Sequence, residues 1–216
     1  MKTVLVIGLG QFGSRIAKRM EELNCEVMAV DVVEERVNEV LPYVTYAQIG
    51  DSTNAEFLRS LGIDNYDVCI VALGAQFQSS LETTSLLKEL GAKKVISRAT
   101  NDVHMKFLLR NGADEVVYPE KQTALRLATK YASDSILDYF HLEKGYYIYE
   151  LKVPKAWFGK SLMQIDARKR LNINILTIKR GDEVLIPSAD TVIRPDDIAF
   201  VLGDTRNIHK VINSRR

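Results

Sequence analysis

The sequence is poor in cysteine and histidine and has no long apolar run. Its 216 residues hold two cysteines, Cys25 and Cys69, with no CxxC pair and no metal-ligand spacing. Neither a disulfide framework nor a zinc site is supported. Both cysteines fall in or beside expected strands, where a free thiol packs as a small apolar group. No apolar stretch approaches the ~20 residues that span a bilayer. Residues 4–7 run straight into glycines rather than toward a signal-peptide cleavage site. The expectation is a cytoplasmic protein that reaches a membrane only through a partner. Five prolines and the absence of any low-complexity tract leave little room for disorder. A net charge of +1, with no basic segment or helix-turn-helix pattern, does not indicate nucleic acid.

What is present is an ordinary apolar fraction, 46%, arranged in two patterns. In residues 1–140, β-branched runs at 3–8, 26–31, 45–49, 67–72, 94–98 and 115–118 read as strands. Helical patterns fill the gaps: Phe12, Ile16, Met20 and Leu23 recur on one helix face, and 54–61, 76–90 and 102–110 also read as helices. Six β-then-α units imply a doubly wound parallel sheet, because parallel strands need crossovers. Residues 120–140 read as one long crossover helix with a wide apolar stripe, which needs cover from its own sheet or from a second subunit.

From residue 141 the pattern changes to a small α+β domain, 141–216. Strands are expected at 146–153, 174–179, 183–186 and 198–202, with a hairpin turn at Gly181-Asp182. Helices are expected at 161–171 and 205–212. The charge changes too: 1–140 carry 15 Lys+Arg against 19 Asp+Glu, and 141–216 carry 14 against 9. The second part suits an anionic ligand, or simply solvates its basic residues.

The most specific motif is VIGLGQFG, residues 6–13. Gly8 permits a tight turn, Gly10 lets a phosphate approach the backbone, and Gly13 lets the helix lie close to the strand. The loop follows a strand, opens a helix, and is paired with Asp31 at the end of the second strand. A carboxylate there accepts ribose hydroxyls and repels a 2′-phosphate. An adenine nucleotide is expected, and NADP is disfavoured.

Hydride-transfer catalysis needs an acid–base group near the substrate. His104 falls in an expected surface helix, His141 near the domain junction and His209 in the last helix. None sits at the C-terminal end of a strand, where such sheets bind ligands. Tyr131 and Tyr139 lack a lysine four residues on. No catalytic residue is assigned.

In order and spacing, VIGLGQFG, AVD (29–31), IGDST (49–53), VALG (71–74) and YPEK (118–121) resemble RCK-domain regulatory subunits of the Ktr/Trk-type K⁺ transporters. The resemblance covers the whole chain, an RCK N-lobe followed by a C-lobe. It implies that Gly8, Gly10 and Gly13 wrap the phosphates of ADP, ATP or NAD(H), with Gln11 and Phe12 also among the cofactor-binding residues, and that Asp31 holds the ribose. It implies that Gly50, Asp51 and Ser52 border the adenine, with Ala72 beside the glycine loop, and that Arg98 reaches the phosphates. Glu120 would lie near the terminal phosphate and take a divalent cation or Na⁺; otherwise it is an acidic residue complementing a helix dipole. Many family members carry Arg where this chain has Gln11, so a charge for the γ-phosphate is missing.

The resemblance also implies a C-lobe site for cyclic di-AMP at Leu162, Met163, Asp166, Arg168, Asn174 and Ile175. The alternative there is a plain amphipathic helix and strand. The implied function is a cytosolic gating subunit. It would form dimers through the crossover helix, build an octameric ring, and control a membrane K⁺-translocating subunit. The competing functions are a small NAD-dependent oxidoreductase and an NADH redox sensor.

Overall fold

The computed structural model describes residues 1–142 and 145–213. The chain divides into two compact units, Met1–Lys121 and Gln122–Arg216. The first begins with β1 (Thr3–Ile7), whose residues 4–7 are all buried. Val4 and Val6 pack on one side of the sheet, Leu5 and Ile7 on the other. A strand covered on both faces reads as a continuous apolar run rather than an alternation. Helix α1 (Gln11–Glu22) follows the glycine loop, then β2 (Glu26–Asp31), α2 (Glu34–Val40), β3 (Tyr46–Ile49) and α3 (Ala55–Ser60). The other half is β4 (Val68–Val71), α4 (Phe77–Glu89), β5 (Val95–Arg98), α5 (Asp102–Arg110) and β6 (Glu115–Val117).

The six strands are parallel in the order β3-β2-β1-β4-β5-β6. The order reverses between β1 and β4, which opens a crevice above their C-terminal ends. This is the doubly wound sheet expected from the sequence. Three details differ. Helix α2 has only seven residues and too short a pattern to be read. Leu23, expected on the buried face of α1, is 59% exposed because the helix ends at Glu22. His104 is wholly buried on the inner face of α5 rather than at the surface.

The expected helix over residues 120–140 is two elements. Helix α6 (Pro119–Tyr131) stops, and β7 (Ile136–His141) runs antiparallel to β8 (Tyr146–Lys152). Ser133, Asp134 and Ser135 interrupt the helix. Tyr139 then stacks on Tyr149 across the strands, with ring centroids 5.8 Å apart. Apolar residues at 136, 139 and 140 fit both a helical stripe and a bulged strand; the ladder shifts register between Ile136 and Asp138.

The expected helix over 161–171 is also divided. Asp166, at φ 46°, separates α7 (Leu162–Ile165) from α8 (Ala167–Leu171). The unit is completed by β9 (Asn174–Arg180), β10 (Glu183–Leu185), β11 (Ile198–Asp204) and α9 (Thr205–Asn213). Its antiparallel sheet has the order β10-β9-β11-β8-β7. Its core gathers Trp157, Ile178, Val201 and Ile208. A partly buried ion pair stitches it: Arg180 Nε and Nη2 each donate to the buried Asp197 at 2.8 Å. Among the described residues, no helix is long and apolar enough to cross a membrane.

Candidate functional site

The crevice above β1 and β4 holds a cavity of 210 Å³. Its floor is the glycine loop. Gly8 has φ +91°, a conformation L side chains rarely adopt. Gly13 is pressed against the loop, and a Cβ there would lie 1.8 Å from the Gly8 carbonyl oxygen. Gly10 is different: a Cβ would meet nothing within 4 Å, because that side faces the cavity. Gly10 caps α1, so the unpaired N–H groups of the first turn stand at the cavity edge.

Asp31 ends β2 and is only 3% exposed. Its carboxylate accepts from the Leu9 N–H at 2.6 Å and from the Val33 N–H at 2.9 Å. Arg36 Nη1 lies 3.5 Å away. A carboxylate has about four acceptor positions, so Asp31 is held in place with capacity left for a ribose hydroxyl. Asp51 accepts from the Thr53 hydroxyl at 2.7 Å and the Thr53 N–H at 2.9 Å. Those bonds, the hydroxyl's first, hold its carboxyl below its ordinary value.

Across the cavity, Arg98 ends β5. Its guanidinium lies 5.4 Å from the Phe12 ring centroid, and Nη2 donates to Glu120. Its Nε is buried and, among the described residues, has no hydrogen-bond partner. The guanidinium as a whole lines the cavity, where it can offer an anion charge-assisted hydrogen bonds. Glu120's carboxyl is held below its ordinary value by its own backbone N–H and then by Arg98.

The second unit has a cavity of 400 Å³ between α7, α8, the start of β9 and residues 187–189. Arg168 Nε donates to Asn174 Oδ1 at 2.9 Å, and both residues line the cavity. Asp166 lies at the break between the helices. Met163 is 65% exposed, and its N–H donates to the Ala189 carbonyl at 2.9 Å.

Residues 4–119 match the TrkA-N domain and residues 146–214 the TrkA-C domain. The Ktr system potassium uptake protein C of Bacillus subtilis is 41% identical over 210 residues, 97% of this chain and 95% of that one. The chain belongs to the TrkA family. Ktr system potassium uptake protein A of the same organism is 38% identical over 213 residues, 98% of this chain and 96% of that one. Among solved structures, the GsuK RCK domain matches with a TM-score of 0.68 at 17% identity. That match covers 98% of this chain and 47% of the GsuK chain. An NAD(P)-binding domain of an exopolyphosphatase-related protein from Archaeoglobus fulgidus matches 61% of this chain and 98% of its own, with a TM-score of 0.54 at 20% identity. Both share the fold.

Within this TrkA-type chain, the structure brings Gly8, Gly10, Asp31, Gly50, Asp51, Ser52, Ala72 and Arg98 to one cavity. Gln11 is exposed at the first position of α1, Phe12 lies beneath Arg98, and Gly13 is buried behind the loop. Glu120 reaches the cavity only through Arg98. All six TrkA-C candidates, Leu162, Met163, Asp166, Arg168, Asn174 and Ile175, line the second cavity. Sequence reasoning missed Arg36, Gln76 and Ser79 at the first cavity and Lys169, Ser188 and Ala189 at the second. Arg36 carried a signal: a cation five residues after Asp31. Ser188 and Ala189 carried none beyond their neighbour Pro187.

Proposed function

We propose that this chain is the nucleotide-sensing regulatory subunit of a K⁺ uptake system of the Ktr type, the system named in its full-length relatives. The observation that carries the reading is the arrangement across one cavity. Asp31 is locked beside a bare glycine loop, and opposite it stands the Arg98 guanidinium, which lines the same cavity. That geometry suits an adenine nucleotide with its ribose at Asp31 and its phosphates between the start of α1 and Arg98. Asp51 and Ser52 border the base in this reading, with Ala72 beside the glycine loop. Gln11 offers an amide but no charge, so the glycine loop brings no cation for a γ-phosphate, and ADP, ATP and NAD(H) are all candidate ligands.

The cation expected at Glu120 does not fit one chain alone. Arg98 already occupies the carboxylate, and among the described residues no group of three or more His, Cys, Asp or Glu converges as a metal site. A divalent cation or Na⁺ there needs further oxygen ligands, from nucleotide phosphates or from another copy. A second copy is supported by α6, which has no buried residue and exposes Leu127 and Tyr131 one turn apart. A dimer through α6 is the unit from which a larger ring, octameric in this reading, is built. Such a ring controls a separate membrane K⁺-translocating subunit if two nucleotides favour two ring shapes with different affinity; equal affinity would shift nothing. The second cavity suits a nucleotide phosphate at Arg168 and supports cyclic di-AMP as a second ligand.

The test is mass spectrometry of the nucleotide that co-purifies, followed by calorimetric titration with ADP, ATP, NADH and cyclic di-AMP. Adenine-nucleotide binding that Asp31→Ala abolishes supports the reading. NADH consumption with a carbonyl substrate overturns it in favour of an oxidoreductase.

A further inference from the structure

Helix α4 forms one wall of the first cavity, and its inner face is not apolar. Its buried residues are Ser80, Thr83, Thr84 and Leu87. All four are wholly buried, so three hydroxyls are packed against the sheet. A buried hydroxyl is costly unless it is bonded. Each of these is bonded to a different element. Ser80 Oγ lies 2.6 Å from His104 Nε2 on α5, and Thr84 Oγ1 lies 2.8 Å from Ser97 Oγ on β5. Thr83 Oγ1 lies 2.8 Å from Ser52 Oγ.

Of these three partners, Ser52 alone lines the cavity. It lies in the loop after β3 and is 5% exposed. A serine there has three staggered rotamers and a freely turning proton. Thr83 removes that freedom. It is β-branched and set in a thirteen-residue helix, so its own χ1 is restricted. We propose that Thr83 is a positioning residue of the nucleotide site. Its hydroxyl fixes the rotamer of Ser52, so that Ser52 presents one oriented hydrogen-bonding group to the ligand. If Thr83 donates, Ser52 keeps its proton for an acceptor on the nucleotide; if Ser52 donates, it keeps a lone pair. This inference rests on the reading of the cavity as an adenine-nucleotide site.

The molecule supplies its own control. The Ser80–His104 bond is a hydroxyl bond in the same helix, equally buried, but His104 does not line the cavity. The experiment is calorimetric titration of the full chain with ADP, with a thermal melt of each variant. Thr83→Val keeps the side-chain shape and removes the hydroxyl; Thr83→Ser keeps the hydroxyl. Thr83→Val is expected to weaken ADP about fivefold, the factor for one net hydrogen bond. Thr83→Ser is expected to restore binding to within about twofold, and Ser80→Ala to lower the melting temperature while leaving ADP affinity within about twofold.

Wild-type affinity in Thr83→Val, or equal losses in Thr83→Val and Ser80→Ala, overturns the proposal. Ser52→Ala provides an independent arm should Thr83→Val not fold. Undiminished ADP binding by Ser52→Ala means that Thr83 positions nothing. A wild-type chain that binds neither ADP, ATP nor NADH overturns the reading of the cavity itself, and this inference with it.

Discussion

The three glycines of the loop do separate jobs, and single substitutions tell them apart. Gly13→Ala drives a Cβ into the Gly8 carbonyl, backbone against backbone, and neither can yield cheaply. It is expected to destabilise the fold by more than ~2 kcal/mol. Gly10→Ala meets open space and is expected to change stability by less than ~1 kcal/mol. It puts a methyl where phosphate would lie, so ADP affinity is expected to fall at least about tenfold. Paired melts and titrations check both. His104 gives a pH signature at the same scale. Burial holds its pKa below the ordinary value. The unfolded imidazole takes up its proton near pH ~6.5, where the folded one is still neutral. Stability is therefore expected to decline as pH is lowered below ~6.5, through the window between the two values. Melts of wild type and His104→Gln at about pH 7.5 and about pH 5.5 check this; the variant should show the smaller decline. Residue identity announced the glycines and Asp31 because a nucleotide fold demands them at fixed spacing. It did not announce His104. A lone histidine among Asp102, Val103, Met105 and Lys106 reads as surface until Ser80, twenty-four positions earlier, is placed against its ring.

Short elements were the least legible. Helix α6 and strand β7 merged into one helix in the sequence because residues 136, 139 and 140 satisfy both periodicities, and the choice is made by pairing with β8. The same pairing sets up an acid-sensitive contact. Arg126 Nε donates to Asp138 Oδ1 at 2.8 Å and Nη2 to Oδ2, and chiefly this holds the Asp138 pKa down to about 2. A carboxylate depressed in the folded state contributes stability above its ordinary value, and that contribution is lost as pH falls through about 2. Acid melts should therefore show Asp138→Asn less stable than wild type near neutral pH, the two converging below the folded value. The break at Asp166 was equally hidden. A single residue in the left-handed region divides α7 from α8 and swings Arg168 toward Asn174. By contrast, β1, β2 and β4 were legible because strands buried on both faces leave continuous apolar runs. Helix α6 makes a prediction of its own. Leu127 and Tyr131, one helical turn apart, are exposed in the single chain. If a second copy covers them, Leu127→Asp together with Tyr131→Asp forfeits roughly 1 kcal/mol or more per side chain. Sedimentation should then show a shift from dimer-based assemblies to single chains.

At the scale of the whole molecule, the two cavities described above lie one in each unit and differ in chemistry. One is built at the reversal point of a parallel sheet, between the Asp31 carboxylate and the Arg98 guanidinium. The other sits between two short helices and a strand, with Arg168 as its cation. The doubly wound architecture was readable from alternating patterns, and the TrkA-N and TrkA-C matches run through both units. What a sequence cannot display is which groups the fold brings face to face. Arg98, sixty-seven positions after Asp31, lines the same cavity. The central claim is that this site senses a nucleotide in order to control K⁺ movement. The most direct measurement is K⁺ flux into proteoliposomes holding a Ktr-type membrane subunit and this protein, with ADP and ATP compared. Flux should differ several-fold between the two nucleotides, and Asp31→Ala should erase the difference. Equal flux with ADP, with ATP and without nucleotide would contradict the account.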